Sequence, residues 1–460
     1  MTGVTDFDVV VLGAGPAGEV CAGRLAKAGL SVAIVERELV GGECAFYACM
    51  PSKALLRPAE LLDEVVRVPG AAEALCRGVD PGVTLTRRDE VIHDLDDAVQ
   101  LPWIEHLGIT LIRGFGRLQP PEGGARRVSV GDTTYEAGRA VVIATGSAAA
   151  MPPIPGLRQS KPWTNRAATT AKEVPASLLI LGGGVVGVEL AQAWSSLGAR
   201  VVLVEALPRL LAHEEPFAGR QVADALRERG VEIHLSSKAT AVERDDGGFT
   251  LTLEDGSALA GAEMLVAIGR RPLTDDIGLE NFGLEPGETI EVDDRMRVPG
   301  HDWLFAIGDV NGRALLTHMG KYQARAAADV ILGRDARVTE DGIRSPRVIY
   351  TDPQVAAVGL TLSGALDQGI QARAVDVETS GTAGASFYGR ETPGTARIVV
   401  DEVRGVIVGA TFTGFEVAEF IHAATIAIVG EVPLHRLWHA IPAFPTRSEL
   451  WLKLLESYGL

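Results

Sequence analysis

Two cysteines, Cys44 and Cys49, stand five residues apart in the stretch Val-Gly-Gly-Glu-Cys-Ala-Phe-Tyr-Ala-Cys-Met-Pro-Ser-Lys, residues 40–53. A dithiol can store two electrons as a disulfide and return them by exchange with another sulfur. The competing use, half of a zinc site, needs two further ligands, and no cysteine-rich or histidine-rich motif elsewhere supplies them. Cys21 and Cys76 lack such a setting and read as structural or incidental. A helix starting near Cys44 favours a thiolate there, through its dipole and the free amides of its first turn. Lys53 then follows Cys49 by one turn.

A redox pair needs an electron source, and the elements before it predict one. Residues 7–12 read as a buried parallel strand, followed by Gly13-Ala-Gly15-Pro-Ala-Gly18, an alanine-rich helix to about residue 28, and a second strand at 32–35 that ends in Glu36. Glycines for a tight turn and close phosphate approach, a helix N-terminus for the pyrophosphate, and an acid about 20 residues on for a ribose hydroxyl make a dinucleotide fingerprint. The unit recurs: a strand at 178–181, Gly182-Gly-Gly184-Val-Val-Gly187, a helix at 188–197, and a strand at 201–204 ending in Glu205. Two such units in one chain let two dinucleotides meet for hydride transfer. A carboxylate at 205 can bind the ribose hydroxyls of NAD and repels a 2′-phosphate, while the nearest basic residue is Arg209. NAD(H) rather than NADP(H) is expected.

The chain has 460 residues, enough for two to four domains. Its 53 glycines suit an α/β protein that brings backbone close to phosphates. A net charge of −17 without a basic run makes nucleic acid and anionic membranes poor partners. No uninterrupted apolar stretch approaches the ~18 residues of a membrane span, and acidic residues precede the first apolar run, so neither anchor nor signal peptide is expected. A cytoplasmic location follows as an expectation, with a catalytic pair as the natural use of a disulfide there.

The 40–53 stretch resembles the redox signature of the pyridine nucleotide-disulfide oxidoreductases, the flavoproteins that include dihydrolipoamide dehydrogenase, glutathione reductase and mercuric reductase. Both glycines, both cysteines, the proline and the lysine are in register. The resemblance implies that Cys44 exchanges with substrate, that Cys49 lies against the flavin as a charge-transfer thiolate, and that Lys53 pairs with a glutamate of the nicotinamide domain, matched by Glu189. It also implies FAD contacts at Gly116, at Thr145 and Gly146, at Gly308 and Asp309 (the aspartate on the ribitol) and at Thr317, with Gly269 closing the nicotinamide domain. The implied fold is α/β: two Rossmann-like domains, the FAD domain interrupted by the NAD domain, plus a C-terminal α+β dimerisation domain. Boundaries are expected at 1–149 and 273–342 for FAD, 150–272 for the nicotinamide and 343–460 for the homodimer interface.

Between these landmarks, residues 58–100 suggest helices with turns at Pro69–Gly70 and Pro81–Gly82. Residues 127–130 and 133–136 read as a hairpin, with a separate strand at 140–143. The C-terminal part reads as strands at 348–350, 355–358, 396–400 and 406–413, then helices at 416–429 and 449–456.

One departure stands out. The family commonly ends in His-Pro-Thr-x-x-Glu, its histidine serving as acid/base for the substrate thiol and its glutamate orienting that histidine. This chain reads Phe444-Pro-Thr-Arg-Ser-Glu449, and phenylalanine carries no proton. His439 is the nearby alternative. Phe46 and Tyr47, between the cysteines, are expected to narrow access to Cys44. The expected activity is transfer from NADH through flavin and the Cys44–Cys49 pair to a small-molecule acceptor. The alternatives are a diaphorase-type quinone reductase working directly from flavin and a low-turnover redox-sensing flavoprotein.

Overall fold

The computed structural model describes residues 4–121, 123–389 and 394–460. The chain divides into two compact units: Met1–Pro51 with Asp89–Ala149 and Arg270–Gly342, and Ser52–Arg88 with Ala150–Gly269 and Ile343–Leu460.

The first unit is a layered α/β fold. Its sheet runs Arg297–Val298, His301–Ala306, Thr133–Ile143, Val4–Leu12, Val32–Glu36 and Thr110–Arg113, with Gly116–Leu118 and Arg127–Val130 attached to one side. Val4–Leu12 pairs in parallel with both neighbours, Val9 opposite Val32 on one side and Ala140 on the other. Successive side chains of a strand face opposite ways. Val9 and Val11 therefore pack with Cys21, Leu25 and Ala324 of the helices Pro16–Lys27 and Thr317–Ile331, while Val10 and Leu12 pack with Val128, Ile277 and Leu279. The expected hairpin-and-strand is one continuous strand, Thr133–Ile143, whose first half pairs with Arg127–Val130.

The second unit contains a parallel sheet in the order Glu232–His234, Arg200–Val204, Ser177–Leu181, Glu263–Val266, with the helices Val185–Ser196 and Pro216–Glu228. A three-stranded antiparallel sheet, Ala239–Asp245, Gly248–Leu253 and Ala258–Gly261, buries Phe249 and Leu251 against Leu179 and Val202. The C-terminal part is a five-stranded antiparallel sheet, Arg347–Ile349, Gln354–Gly359, Val406–Gly414, Thr395–Asp401 and Ala372–Glu378. Ile421 and Ala424 of one helix and Leu450 and Leu454 of another join its core. Ala372–Glu378 is a strand that the sequence did not signal, since its alternating Ala, Val and charged residues make a weak apolar period.

Two local expectations change. Pro81 opens the helix Pro81–Val91 rather than marking only a turn, because a first-turn proline gives up an amide that would be unpaired anyway. The single redox helix is instead two, Gly42–Phe46 and Cys49–Arg67. Among the described residues no helix is long and apolar enough to cross a membrane.

A candidate dithiol and dinucleotide site

Cys44 lies in the short helix Gly42–Phe46 and Cys49 opens the next, so the break at Tyr47 and Ala48 lets the two thiols face each other. Gly41 and Gly42 start this segment with φ of +108° and +58°, a region that L side chains adopt poorly, and a Cβ on Gly42 would stand 3.0 Å from Cα of Gly15. The glycine pair thus seats the cysteine stretch on the glycine turn at 13–18. Phe46 is fully buried and packs beneath Gly41, which corrects the expectation that it narrows access to Cys44.

Cys44 and Cys49 are in the dithiol form, with no disulfide between them. The Cys44 thiol is held well above the usual thiol range, first by its hydrogen bond to Cys49, then by burial and by the charge of Cys49; the Thr317 hydroxyl and the Lys321 ammonium pull the other way. The proton is therefore held on Cys44, against the expectation that the helix start favours a thiolate there. Thr317 Oγ1 lies 3.5 Å from Cys49 Sγ. Cys21, by contrast, is sealed in the core and its thiol is pushed up to about 12 by burial alone.

The glycine turn at 13–18 leads to a recess whose lining includes Gly13, Glu36, Phe115, Gly116, Thr145 and Ile277. Glu36 ends its strand with one oxygen accepting from the amide of Ala14 (2.8 Å) and the other from that of Glu38 (2.7 Å). Thr145 Oγ1 donates to the carbonyl of Leu273 (2.7 Å), and the Gly146 carbonyl accepts from the Leu273 amide (3.0 Å). Asp309 accepts from Ser147 Oγ and lies 3.7 Å from Arg270; burial still raises its carboxyl above the ordinary range. Gly308 donates its amide to Gln323 (2.8 Å), which fixes the loop before the Thr317–Ile331 helix.

The second turn has the same build. Glu205 accepts from the amides of Gly183 (2.6 Å) and Leu207 (2.8 Å). Arg209 is committed elsewhere, donating to the carbonyls of Leu211, Ala212 and Glu214. Gly269, with φ +137°, accepts the Ala150 amide at 2.9 Å. Glu189 is only 3% exposed, which excludes an ordinary surface acid; one oxygen meets Lys53 Nζ at 2.7 Å and the other accepts the Tyr350 amide at 2.9 Å.

At the C-terminal end Phe444 is 76% exposed and His439 is also exposed. Glu449 opens the last helix and accepts the Gly384 amide at 3.4 Å. Its neighbour Arg447 is buried among the rings of Tyr388, Phe415 and Phe420 and donates to the Phe415 carbonyl. Sequence reasoning missed Lys321, the Thr317 hydroxyl, Ser147, Arg270 and Tyr350. Only the helical spacing of Thr317 and Lys321, four residues apart, could have linked two of them.

A family model described as pyridine nucleotide-disulphide oxidoreductase matches residues 7–328, and one for the dimerisation domain of that family matches residues 345–454. The chain is 31% identical to the dihydrolipoyl dehydrogenase of Haloferax volcanii, covering 98% of this chain and 96% of the relative. It is 33% identical to that of Mycobacterium tuberculosis, covering 97% of each. Among solved structures, the HOCl-induced flavoprotein disulfide reductase RclA from Escherichia coli superposes with a TM-score of 0.85 at 26% identity over 98% of this chain and 99% of that one. LpdA from Mycobacterium tuberculosis, at 24% identity, shares the fold with a TM-score of 0.87 over 99% of this chain and 100% of that one.

Proposed function

Because the chain belongs to the pyridine nucleotide-disulphide oxidoreductases, enzymes that depend on FAD and use NAD(P)H, we propose that it couples oxidation of NADH to reduction of a Cys44–Cys49 disulfide and then of a small-molecule acceptor. Bound FAD supplies the two-electron chemistry between nicotinamide and sulfur. NADH gives up two electrons and one proton; the disulfide takes two electrons and one proton, so that its S–S bond breaks to one thiol and one thiolate. The observation that carries the reading is the facing thiol pair, with Cys44 on Gly42–Phe46 hydrogen-bonded to Cys49 at the start of the next helix and Thr317 Oγ1 3.5 Å from Cys49 Sγ.

The residues fit the cofactor. A Cβ on Gly15 would meet no protein atom within 4 Å, so the protein itself does not require glycine there. A pyrophosphate lying over the helix N-terminus does. Gly13, Gly18 and Glu36 complete that cradle, and Gly116, Thr145, Gly146, Gly308, Asp309 and Thr317 are assigned to the rest of FAD. Gly182, Gly184, Gly187, Glu205 and Gly269 are assigned to the nicotinamide dinucleotide. The engagement of Arg209 with three carbonyls removes the nearest cation that could neutralise a 2′-phosphate, which favours NADH over NADPH. Lys53 and Glu189 form the charged pair assigned to the junction of flavin and nicotinamide.

We assign a homodimer, supported by Phe387, Ile426, Ile441 and Phe444, large apolar side chains exposed within the span matched to the dimerisation domain. A thiol pair kept reduced between turnovers suits the cytoplasm. Phe444 favours a second reading, in which a quinone-like acceptor takes electrons directly from flavin. Thiol exchange at Cys44 lacks a proton donor at residue 444, and a placed acid/base contributes about 10²–10⁴-fold.

Anaerobic titration with NADH separates the readings. Disulfide reduction requires about two equivalents of reductant per FAD and a long-wavelength thiolate-to-flavin absorbance at the midpoint. Bleaching after one equivalent, with quinone turnover unchanged in Cys44→Ser, would leave the direct route. Phe444→His should raise lipoamide turnover and leave quinone turnover within about twofold.

A further inference from the structure

Residues 350–352 form a strap whose backbone is fastened to one helix and whose Asp352 side chain is fastened to a second. Glu189 and Gln192, one turn apart on Val185–Ser196, accept the amides of Tyr350 (2.9 Å) and Asp352 (2.7 Å). The Asp352 carboxylate is held by Arg67 and by Arg229 (3.1 Å), and Arg229 also holds Asp63 (2.6 Å). Arg67 and Asp63 belong to Cys49–Arg67, the helix that carries Lys53. The ring of Tyr350 lies 4.7 Å from Lys53 Nζ.

Tyr350 therefore touches both members of the Lys53–Glu189 pair through unrelated contacts, its amide to one carboxylate oxygen and its ring face to the ammonium. Burial does not lock the lysine, since its side chain keeps 35% of its exposure. A lysine has a long flexible stem, and a single carboxylate oxygen leaves its ammonium free to swing about that point. A second attraction from a ring face removes this freedom. Glu189 is fixed from both sides, one oxygen to Lys53 and one to the strap.

We propose that Tyr350 is a positioning residue for hydride transfer, holding the Lys53 ammonium in one place and Glu189 in one rotamer. The proposal rests on the assignment of Lys53 and Glu189 to the junction of flavin and nicotinamide. Phenylalanine at 350 keeps both the ring face and the main-chain amide and so should keep the positioning, whereas a ring of reversed electrostatics should not.

The test replaces Tyr350 in the FAD-loaded enzyme with phenylalanine, leucine and pentafluorophenylalanine. The last keeps the ring's shape and so keeps the variant readable if Tyr350→Leu fails to fold. The rate of flavin reduction at saturating NADH should fall about threefold to tenfold with the fluorinated ring, with the KM for NADH unchanged, and stay within about twofold of wild type for Tyr350→Phe. The midpoint potential of the bound flavin should become more negative in the fluorinated variant as the ammonium loosens. Both effects should vanish in a Lys53→Met background, where the ring has no cation to hold. An unchanged rate and potential, or a loss that persists without Lys53, would overturn the role of Tyr350. If Lys53→Met and Glu189→Gln themselves leave flavin reduction untouched, the assignment beneath it falls too. If those two slow it and the fluorinated ring does not, only the role of Tyr350 falls.

Discussion

In the turn at 13–18 the first glycine has φ +104°, and in the turn at 182–187 it has φ +113°. A Cβ on Gly13 would stand 2.3 Å from the Ala144 carbonyl oxygen, and one on Gly182 2.4 Å from that of Ala267. Gly15 and Gly184 cap their helices with φ of −73° and −78°, and an added Cβ on either meets nothing within 4 Å. Glu36 and Glu205 each tie two main-chain amides. The turns part company one residue later. Glu19 directly follows the last glycine of the first turn, whereas Glu189 stands one place further along in the second. One residue is about 100° of rotation on a helix. Glu189 is thereby turned to Lys53 and Tyr350, while Glu19, close to Glu36, has its carboxyl pushed up to about 7 by burial. Backbone contacts dictate the turn, and the identity of one adjacent position dictates whether a buried acid is paired.

The largest expected effects come from the last glycines. A Cβ on Gly18 would stand 1.9 Å from the Gly13 carbonyl oxygen, and one on Gly187 1.9 Å from that of Gly182, so either must push helix and strand apart. Gly18→Val should yield colourless protein. Gly187→Val should keep its FAD while flavin reduction by NADH falls at least about 10²-fold, the cost of ~1 Å misplacement. Flavin content by absorbance and stopped-flow reduction check both. Loss of FAD from Gly187→Val would break the assignment of one cofactor to each turn.

A smaller effect follows from the strand-end acids. Glu205→Ser removes a like-charge contact with a 2′-phosphate in a partly desolvated site, about 1–3 kcal/mol, and should raise the NADPH-to-NADH ratio of kcat/KM roughly 10- to 150-fold. Glu36→Ser should weaken FAD retention and leave that ratio alone. Equal change in both variants would show that nicotinamide choice is made away from residue 205.

How far this was legible in the sequence follows the same division. Glycine turns and their acids can be read because steric limits admit few other residues at those places, and the strands beside them are apolar runs. Lys53 and Glu189 could be named from motif register, and they lie 2.7 Å apart. What could not be read depends on partners distant in the chain. The break between Cys44 and Cys49 carries no glycine or proline inside it. Phe46 looked like a lining residue until the core showed where it packs. Thr317, Lys321 and Tyr350 gain meaning only from long-range contacts with Cys49, Cys44 and Lys53. The helical stretch read from residue 58 onward belongs to a helix that already starts at Cys49, with Pro58 inside it.

The smallest effect tests the unpaired side of the comparison. Burial raises Glu19 from 4.5 to about 7, with Lys321 opposing and Glu36 adding to the rise. An acid whose folded pKa is raised binds more protons folded than unfolded between those values, so stability falls as pH rises from about 4.5 to about 7 and stays lowered above. The full shift corresponds to roughly 3 kcal/mol, and the partial solvent access of Glu19 reduces this to about 1–2 kcal/mol. Glu19→Gln cannot ionise and should be more stable than wild type at pH 8 by that amount, with no gain at pH 4. Thermal unfolding of FAD-depleted protein across that range measures the difference without any contribution from cofactor binding. The same Glu→Gln change at residue 189 should be destabilising at pH 8, because it removes the buried carboxylate that pairs with the half-exposed Lys53 ammonium. Two substitutions of one kind, one residue apart in register, should thus move stability in opposite directions. A stabilising Glu189→Gln, or a Glu19→Gln gain that persists at pH 4, would show that pairing does not distinguish the two acids.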